Sequence, residues 1–412
     1  MSSPGSGPMR VAVVTTAAPP SPNGQARVLG QVLATEAFAS PIFLTDQMNI
    51  LEPQEDRVGR YYALSAAQLH LTSQAWGKAL RGFNRGGGLA RTVWLRAQEI
   101  VSALRREEVD VVVGCSGNPF DLPAAWLAAR RLKLPFVAYL FDDPVYQWAL
   151  QSDRYLARMS ERIWASGAAA IIVPNEILVE DIKKRLPRAS IHIVRNPFYP
   201  LRVTHQDHQR EPVRADAIWR LLYSGSVYHA QASAFRNLVA ALDLLQGRFV
   251  LDIYTAQWSS DLVARELRSS LAFSHPNVPH AAIVRLQQSA DVLFLPLAFD
   301  SSIPEVIRSS SPAKLGEYLA AGRPILVHAP AGTFVAELIR NADAGVVVDT
   351  PEPQRLVEAL NSIARDSALR ARIVRNASKL AGEFSIERAQ AAFISILSHA
   401  TRDFRMVGAN LR

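Results

Sequence analysis

Short apolar runs bounded by small or polar residues recur through the first half of the chain, at Arg10–Thr15, Val109–Gly114, Phe136–Phe141, Ala170–Pro174 and Ile191–Val194. A strand apolar along its whole length is buried on both faces, and that is the signature of a parallel sheet covered by helices. Parallel neighbours need long crossovers, which the helical stretches between these runs supply. The segment Pro200 to Arg214 then turns polar, with His205, Asp207, His208, Arg210 and Glu211. After it the same grammar restarts at Arg220–Gly225, Phe249–Tyr254, Val292–Leu295, Ile325–Val327 and Val346–Val348. At 412 residues the chain exceeds what one core serves. The expected class is therefore α/β, with two Rossmann-like doubly wound domains facing a cleft. The expected division is a flexible leader over 1–8, a first domain over 9–200, a linker over 201–214 and a second domain over 215–385. A terminal helix in 386–412 is long enough to pack back on the first domain.

Apolar residues make up 49%, enough for two cores. Cys115 is the single cysteine, so an intramolecular disulfide and a multi-cysteine metal site are excluded. A reducing, cytoplasmic setting is expected, since no run reaches the roughly 18 apolar residues that cross a bilayer and no signal pattern opens the chain. The net charge of +8 is concentrated between Lys78 and Arg106, where Lys78, Arg81, Arg85, Arg91, Arg96, Arg105 and Arg106 face only Glu99. A helix over about Leu89 to Arg106 would align Val93, Ala97, Ile100, Val101 and Leu104. Such a basic amphipathic helix either rests on an anionic membrane surface or is an ordinary helix with a solvated arginine face.

In open α/β sheets, ligands sit beyond the carboxyl ends of the strands. The loops that follow strands are thus the ones to search. Asp142 and Asp143 leave the strand ending at Phe141, placed for acceptor binding or proton transfer, while one of them has the alternative of capping the next turn. Adjacent acids can bind Mg²⁺, but no Asp-x-Asp pattern is present, so no metal is expected. Asn23 and Gly24 follow the first strand, and Gly225 and Ser226 follow the first strand of the second half. At these places a backbone without Cβ can approach a phosphate or sugar, or simply turn tightly. At the end of the first half Arg195 faces an anionic donor, or else the neighbouring Asn196 is a buried residue that organises the interdomain turn. The histidines lack metal-ligand spacing. Neither a Gly-x-Ser-x-Gly elbow nor a P-loop occurs, and nucleic acid is not an expected partner.

The segment from Ser309 to Val327 reads as a serine-rich loop, a short helix and a buried strand. Ser311 reads as the N-cap, Pro312 as the first helical residue and Gly322 as the left-handed stop before Pro324. Lys314 then lies in the first turn, where the helix macrodipole disfavours a cation, with Arg308 just upstream. A bound diphosphate reverses that sign. Glu317, one turn on, is placed to accept hydrogen bonds from sugar hydroxyls, or to form a surface ion pair with Lys314.

This order of features resembles the GT-B glycosyltransferases, in particular the large retaining group called family 4. The resemblance runs from Arg10 to about Phe384 and is most specific in Pro312-Ala-Lys314-Leu-Gly-Glu317-Tyr-Leu-Ala-Ala-Gly322-Arg-Pro324. Val173-Pro-Asn-Glu176, Val194-Arg-Asn-Pro197 and Ala342-Asp-Ala-Gly345 are similar to further family segments. It implies transfer of a sugar from a nucleotide-diphosphate donor to a glycan, polysaccharide or lipid-linked acceptor, with retention and with neither metal nor cofactor. By the same likeness Glu317 binds the donor ribose, Ser309, Ser310 and Ser311 offer amides to the sugar and diphosphate, and Gly24 approaches the diphosphate. Asp142 or Asp143 then stands on the acceptor side. The chain departs from the family pattern at Ser309, where a first glutamate is usual. It departs again at Ser226 and Ser233, near which an arginine and a lysine are usual; Lys314, Arg308 or Arg236 would have to replace that charge. A non-catalytic scaffold or binding subunit is the alternative, and a nucleotide-sugar epimerase a third reading. A place at the inner membrane face goes with a lipid-linked acceptor.

Overall fold

The computed structural model describes residues 7–21, 23–47, 58–66, 78–148, 150–199, 218–257, 260, 267 and 269–410, without the side chains of 78–86 and 407–410. Most of the leader, the polar linker, and the side chains of Lys78, Arg81 and Arg85 lie outside the described residues. The chain divides into two compact units, Met1–Pro197 with Ile386–Arg412, and Phe198–Ser385.

The first unit is built on a parallel sheet of β1 (Val11–Val14), β2 (Ile42–Thr45), β3 (Arg60–Ala63), β4 (Val111–Cys115), β5 (Phe136–Tyr139), β6 (Ala170–Val173) and β7 (Ile191–Ile193). Its order is β3-β2-β1-β4-β5-β6-β7. Alternation along β1 divides the core. Ala12 and Val14 face a layer formed by α2 (Lys78–Leu104), α3 (Asp121–Leu132), α4 (Gln151–Ser166) and α5 (Glu176–Arg185). Val11 and Val13 face α1 (Gly24–Leu33) and the last helix of the chain, Ile386–Asn410, which contributes Phe393, Ile396 and Leu397. Both faces are dry, as a continuous apolar strand requires.

The second unit repeats the plan with β8 (Trp219–Ser224), β9 (Phe249–Thr255), β10 (Ala272–Pro276), β11 (Val292–Pro296), β12 (Ile325–His328) and β13 (Val346–Val348), ordered β10-β9-β8-β11-β12-β13. Its helices are α6 (Ala232–Leu244), α7 (His280–Ser289), α8 (Pro304–Ser309), α9 (Leu315–Ala320), α10 (Phe334–Asn341), α11 (Pro353–Arg365) and α12 (Ser367–Ala381); the terminal helix is α13. In each sheet the strand order reverses once, between β1 and β4 and between β8 and β11, and every pair is parallel.

The structure extends the sequence reading in places. Strands β2, β3 and β10 were not expected. β3 and β10 are edge strands, half-exposed, with the mixed sequences Arg-Tyr-Tyr-Ala and Ala-Phe-Ser-His-Pro, so neither has an apolar run to announce it. Helix α1 ends at Leu33, where Ala34 leaves helical geometry. Helix α2 starts at Lys78 instead of Leu89, running through Gly86, Gly87 and Gly88. Arg96 also leaves the basic face expected of it: it is buried, and its Nε donates to Asp121 at 2.6 Å. A buried guanidinium needs such a carboxylate, because an unpaired one would be too costly.

Candidate functional site

In the second unit the loops after β8 and β11 leave the sheet side by side at the switch point, and most of the residues singled out in this half lie on them or just beyond. Gly225 follows β8 with φ +124°, a conformation that strains any residue with a Cβ. A Cβ there would stand 2.8 Å from Lys314 Nζ. The Tyr223 hydroxyl donates to the Ser226 carbonyl at 2.7 Å and closes the turn. The ammonium of Lys314 lies 3.7 Å from the centre of the buried Tyr223 ring. Such stacking stabilises a cation without saturating its three N–H donors. Among the described residues no carboxylate or carbonyl accepts from it. Burial pulls Lys314 down from 10.5 to about 7, and the Glu317 charge opposes that shift only in part. Among the described residues the site therefore holds a buried ammonium whose N–H groups meet no acceptor, with Glu317 as a nearby charge that compensates its burial only in part.

Glu317 is buried, at 7% exposure. Its Oε1 accepts from His280 Nε2 at 2.9 Å and its Oε2 from Gln287 Nε2 at 3.1 Å. Gln287 also donates to Ser224 Oγ at 3.2 Å, and the Ser224 N–H donates to the Tyr318 hydroxyl at 3.2 Å. Helix α7, the end of β8 and helix α9 are thus tied around one carboxylate. The sequence pointed to Glu317 but not to His280, Gln287, Ser224, Tyr223 or Tyr318. Their residue types carry no signal at those spacings.

Helix α9 differs from the expected one. It begins at Leu315, with Lys314 in the N-cap position and no side-chain cap. Ser311 and Pro312 precede it in a turn closed by the Leu315 N–H on the Pro312 carbonyl at 3.0 Å. The proline that opens a helix here is Pro304, at the start of α8. A proline φ suits a turn as well as a first helical residue, and the spacing alone did not discriminate. Gly322 has φ +70° beyond the end of α9. Gly316, inside α9, lets the helix close on Phe198, whose Cδ1 would lie 2.7 Å from a Cβ. Ser309 is buried and donates from Oγ to the Glu305 carbonyl, while the Ser310 N–H caps α8 on Ile307. Arg308 and Ser311 are half-buried. Ser226 is exposed, Ser233 Oγ accepts from the Phe299 N–H, and Arg236 is paired with Asp300 at 2.6 Å. That leaves Lys314 as the cation placed beside Gly225.

In the first unit the singled-out residues also lie at the carboxyl ends of strands. Asn23 caps α1, its Oδ1 accepting from the Gln25 N–H at 2.8 Å, and Gly24 is the first residue of the helix; both are exposed. Arg195 forks onto Glu176 at 2.8 and 2.6 Å. Asp143 is buried, and its Oδ1 accepts from the Val145 and Tyr146 amides and from Arg185, whose guanidinium also holds Glu161. Its carboxylate is thus spent on shaping the 143–147 turn. Asp142 keeps an exposed edge and makes no hydrogen bond or ion pair among the described residues. Surrounding protein, and then the Asp143 charge, push it up to about 6. Of the two acids, Asp142 is the one with a carboxylate to offer.

Comparison with known proteins follows the same outline. The family model described as glycosyl transferases group 1 matches residues 263–380, and the one described as glycosyltransferase family 4 matches residues 61–200. No curated protein sequence matches the chain. Among solved structures it is similar to a glycosyltransferase from Rickettsia africae ESF-5, with TM-score 0.67 and 13% identity over 95% of this chain and 98% of that one. It is similar to Anabaena HepE in complex with UDP, with TM-score 0.65 and 14% identity over 95% and 99%. A third similar structure is WaaG, a glycosyltransferase involved in lipopolysaccharide biosynthesis, with TM-score 0.62 and 16% identity over 94% and 99%. Two matched segments lying one in each unit, on a pair of Rossmann-like sheets, place the chain among the family 4-like glycosyltransferases of the GT-B fold.

Proposed function

We propose that this glycosyltransferase takes its sugar from a nucleotide-diphosphate donor held by the second unit, and passes it with retained configuration to a glycan, polysaccharide or lipid-linked acceptor. The observation that carries the reading is the Lys314 ammonium, held over Tyr223 against Gly225 with no acceptor for its hydrogens among the described residues. Departure of a nucleoside diphosphate develops negative charge, and a fixed cation in a partly dry site stabilises it. In this reading Lys314 supplies that charge without a metal or other cofactor. Glu317, oriented by His280 and Gln287, accepts the ribose hydroxyls, and Asp142 accepts the hydrogen of the attacking hydroxyl. The structures of HepE with UDP and with UDP-glucose support the donor class. The part of WaaG in lipopolysaccharide biosynthesis supports an acceptor of that kind. A lipid-linked acceptor would be met at the inner face of a membrane, in the cytoplasm.

The test is calorimetric titration of nucleotide sugars into wild-type protein and Glu317→Ala. Loss of a charged acceptor that makes one or two hydrogen bonds to the ribose should weaken binding about 10- to 100-fold. Because Glu317 is buried and holds His280 and Gln287, the truncation should also lower the melting temperature by a few degrees, so the titration is made well below both transitions, where the variant is still folded. Unaltered affinity in the variant would overturn the assignment of Glu317. A non-catalytic scaffold is favoured by Ser309 and Ser226, which stand where the family has charged residues. Release of free UDP with a matching glycosylated product would eliminate it.

A further inference from the structure

We propose that the outer face of α4 docks the protein onto a bilayer carrying anionic headgroups. The inner face of this helix is fully employed, with Trp164 and Ala165 in the core, Ala157 buried, and Glu161 buried on Arg185. The outer face is not uniformly polar, as that of a surface helix ordinarily is. Tyr155, Met159 and Ile163, at intervals of four, are 65%, 46% and 52% exposed, and Leu150 just ahead of the helix is 57% exposed. Together the three helical positions form a stripe about 12 Å long.

Arg158 and Arg162 are exposed on the same face, between the apolar side chains. Arg158 donates to the Tyr146 hydroxyl at 2.9 Å, and Arg162 has no carboxylate partner among the described residues. The acid nearest to them on the helix, Glu161, is turned inward. A cationic face interleaved with large apolar side chains matches the boundary of a bilayer, where aliphatic groups enter the acyl edge and guanidinium groups meet phosphate. Helix α2, in the same helical layer, leaves Trp94 and Leu95 exposed at 49% and 38%, beside the exposed Arg91. Tryptophan is a favoured residue at the headgroup level. A standard protein partner would require about 20–30 residues a side, far more than the stripe offers.

The experiment is co-sedimentation of the full chain with vesicles of phosphatidylcholine, alone or with a third phosphatidylglycerol. Wild type is expected to bind the anionic vesicles, less so as salt rises, and to leave the neutral ones. Arg158→Gln with Arg162→Gln should lower the affinity about thirty-fold. Tyr155→Ser with Met159→Ser and Ile163→Ser should abolish binding. Both variants should keep the wild-type melting temperature, because the altered side chains are exposed, and should bind nucleotide sugars as wild type does. Failure of the wild type to bind, or variants that sediment like wild type, would overturn the proposal. So would a wild-type dimer in analytical ultracentrifugation that the apolar variant converts to monomer, since the stripe would then join two copies. Vesicle binding and association state do not depend on donor binding, so the proposal and the donor reading stand or fall separately.

Discussion

Lys314 answers to two opposed requirements. The fold would be better served by an apolar residue over Tyr223, because burial pulls the ammonium down from 10.5 to about 7. Between those two values the unfolded chain binds a proton that the folded chain has released, so stability rises with pH across that window. Below about pH 7 the full cost of the buried charge is present. An anionic ligand prefers the charged form, so its affinity should fall as pH rises through 7. We expect Lys314→Met to melt higher than wild type at pH 6, and to bind nucleotide sugars at least about tenfold more weakly there. Its affinity should also lose the pH dependence near neutrality. A variant that melts lower and binds equally well would show Lys314 to be a packing residue only.

At the scale of elements, α2 carries an avoidable weakness. Gly87 lies within the helix, is exposed, and a Cβ built on it meets nothing within 4 Å. Glycine in a helix interior costs about 0.5–1 kcal/mol relative to alanine, chiefly through the freedom of the unfolded chain. Gly87→Ala should therefore raise stability by about that amount in denaturant titration, with an unchanged slope. The same glycines account for where the sequence reading of α2 stopped, since a triplet of poor helix formers looks like a boundary. Most strands buried on both faces were legible, as in β1, β4 and β11, although the equally buried β2 was not; of the edge strands β7 and β13 were read, whereas β3 and β10, with mixed sequences, were not. The candidate site was legible in the same uneven way. Glu317 and Lys314 stand in one recognisable segment, whereas His280 and Gln287 lie 37 and 30 residues upstream of Glu317 and reach it only because α7 packs where it does. Local spacing does not encode contacts of that range.

For the molecule as a whole, the two units differ in how the chain completes them. The second is continuous from Phe198 to Ser385 and has its own core around Trp219, Phe235, Phe249 and Phe294. The first is completed by α13, which crosses to it from the far end of the sequence. Phe393 and Leu397 are fully buried there, and Ile396 nearly so. Gln390 fastens the same helix by donating to the Gln31 and Ala34 carbonyls at 2.8 and 3.1 Å. At about 1.5–3 kcal/mol for each large apolar side chain, removing α13 forfeits roughly 5–9 kcal/mol. That is as much as many whole domains possess. Residues 1–385 should thus show one cooperative transition from the second unit, together with a first unit that binds hydrophobic dye and lacks one. Residues 198–385 alone should melt cooperatively and still bind nucleotide sugars. Two intact transitions in the 1–385 fragment would mean that the first sheet holds its apolar face closed without α13.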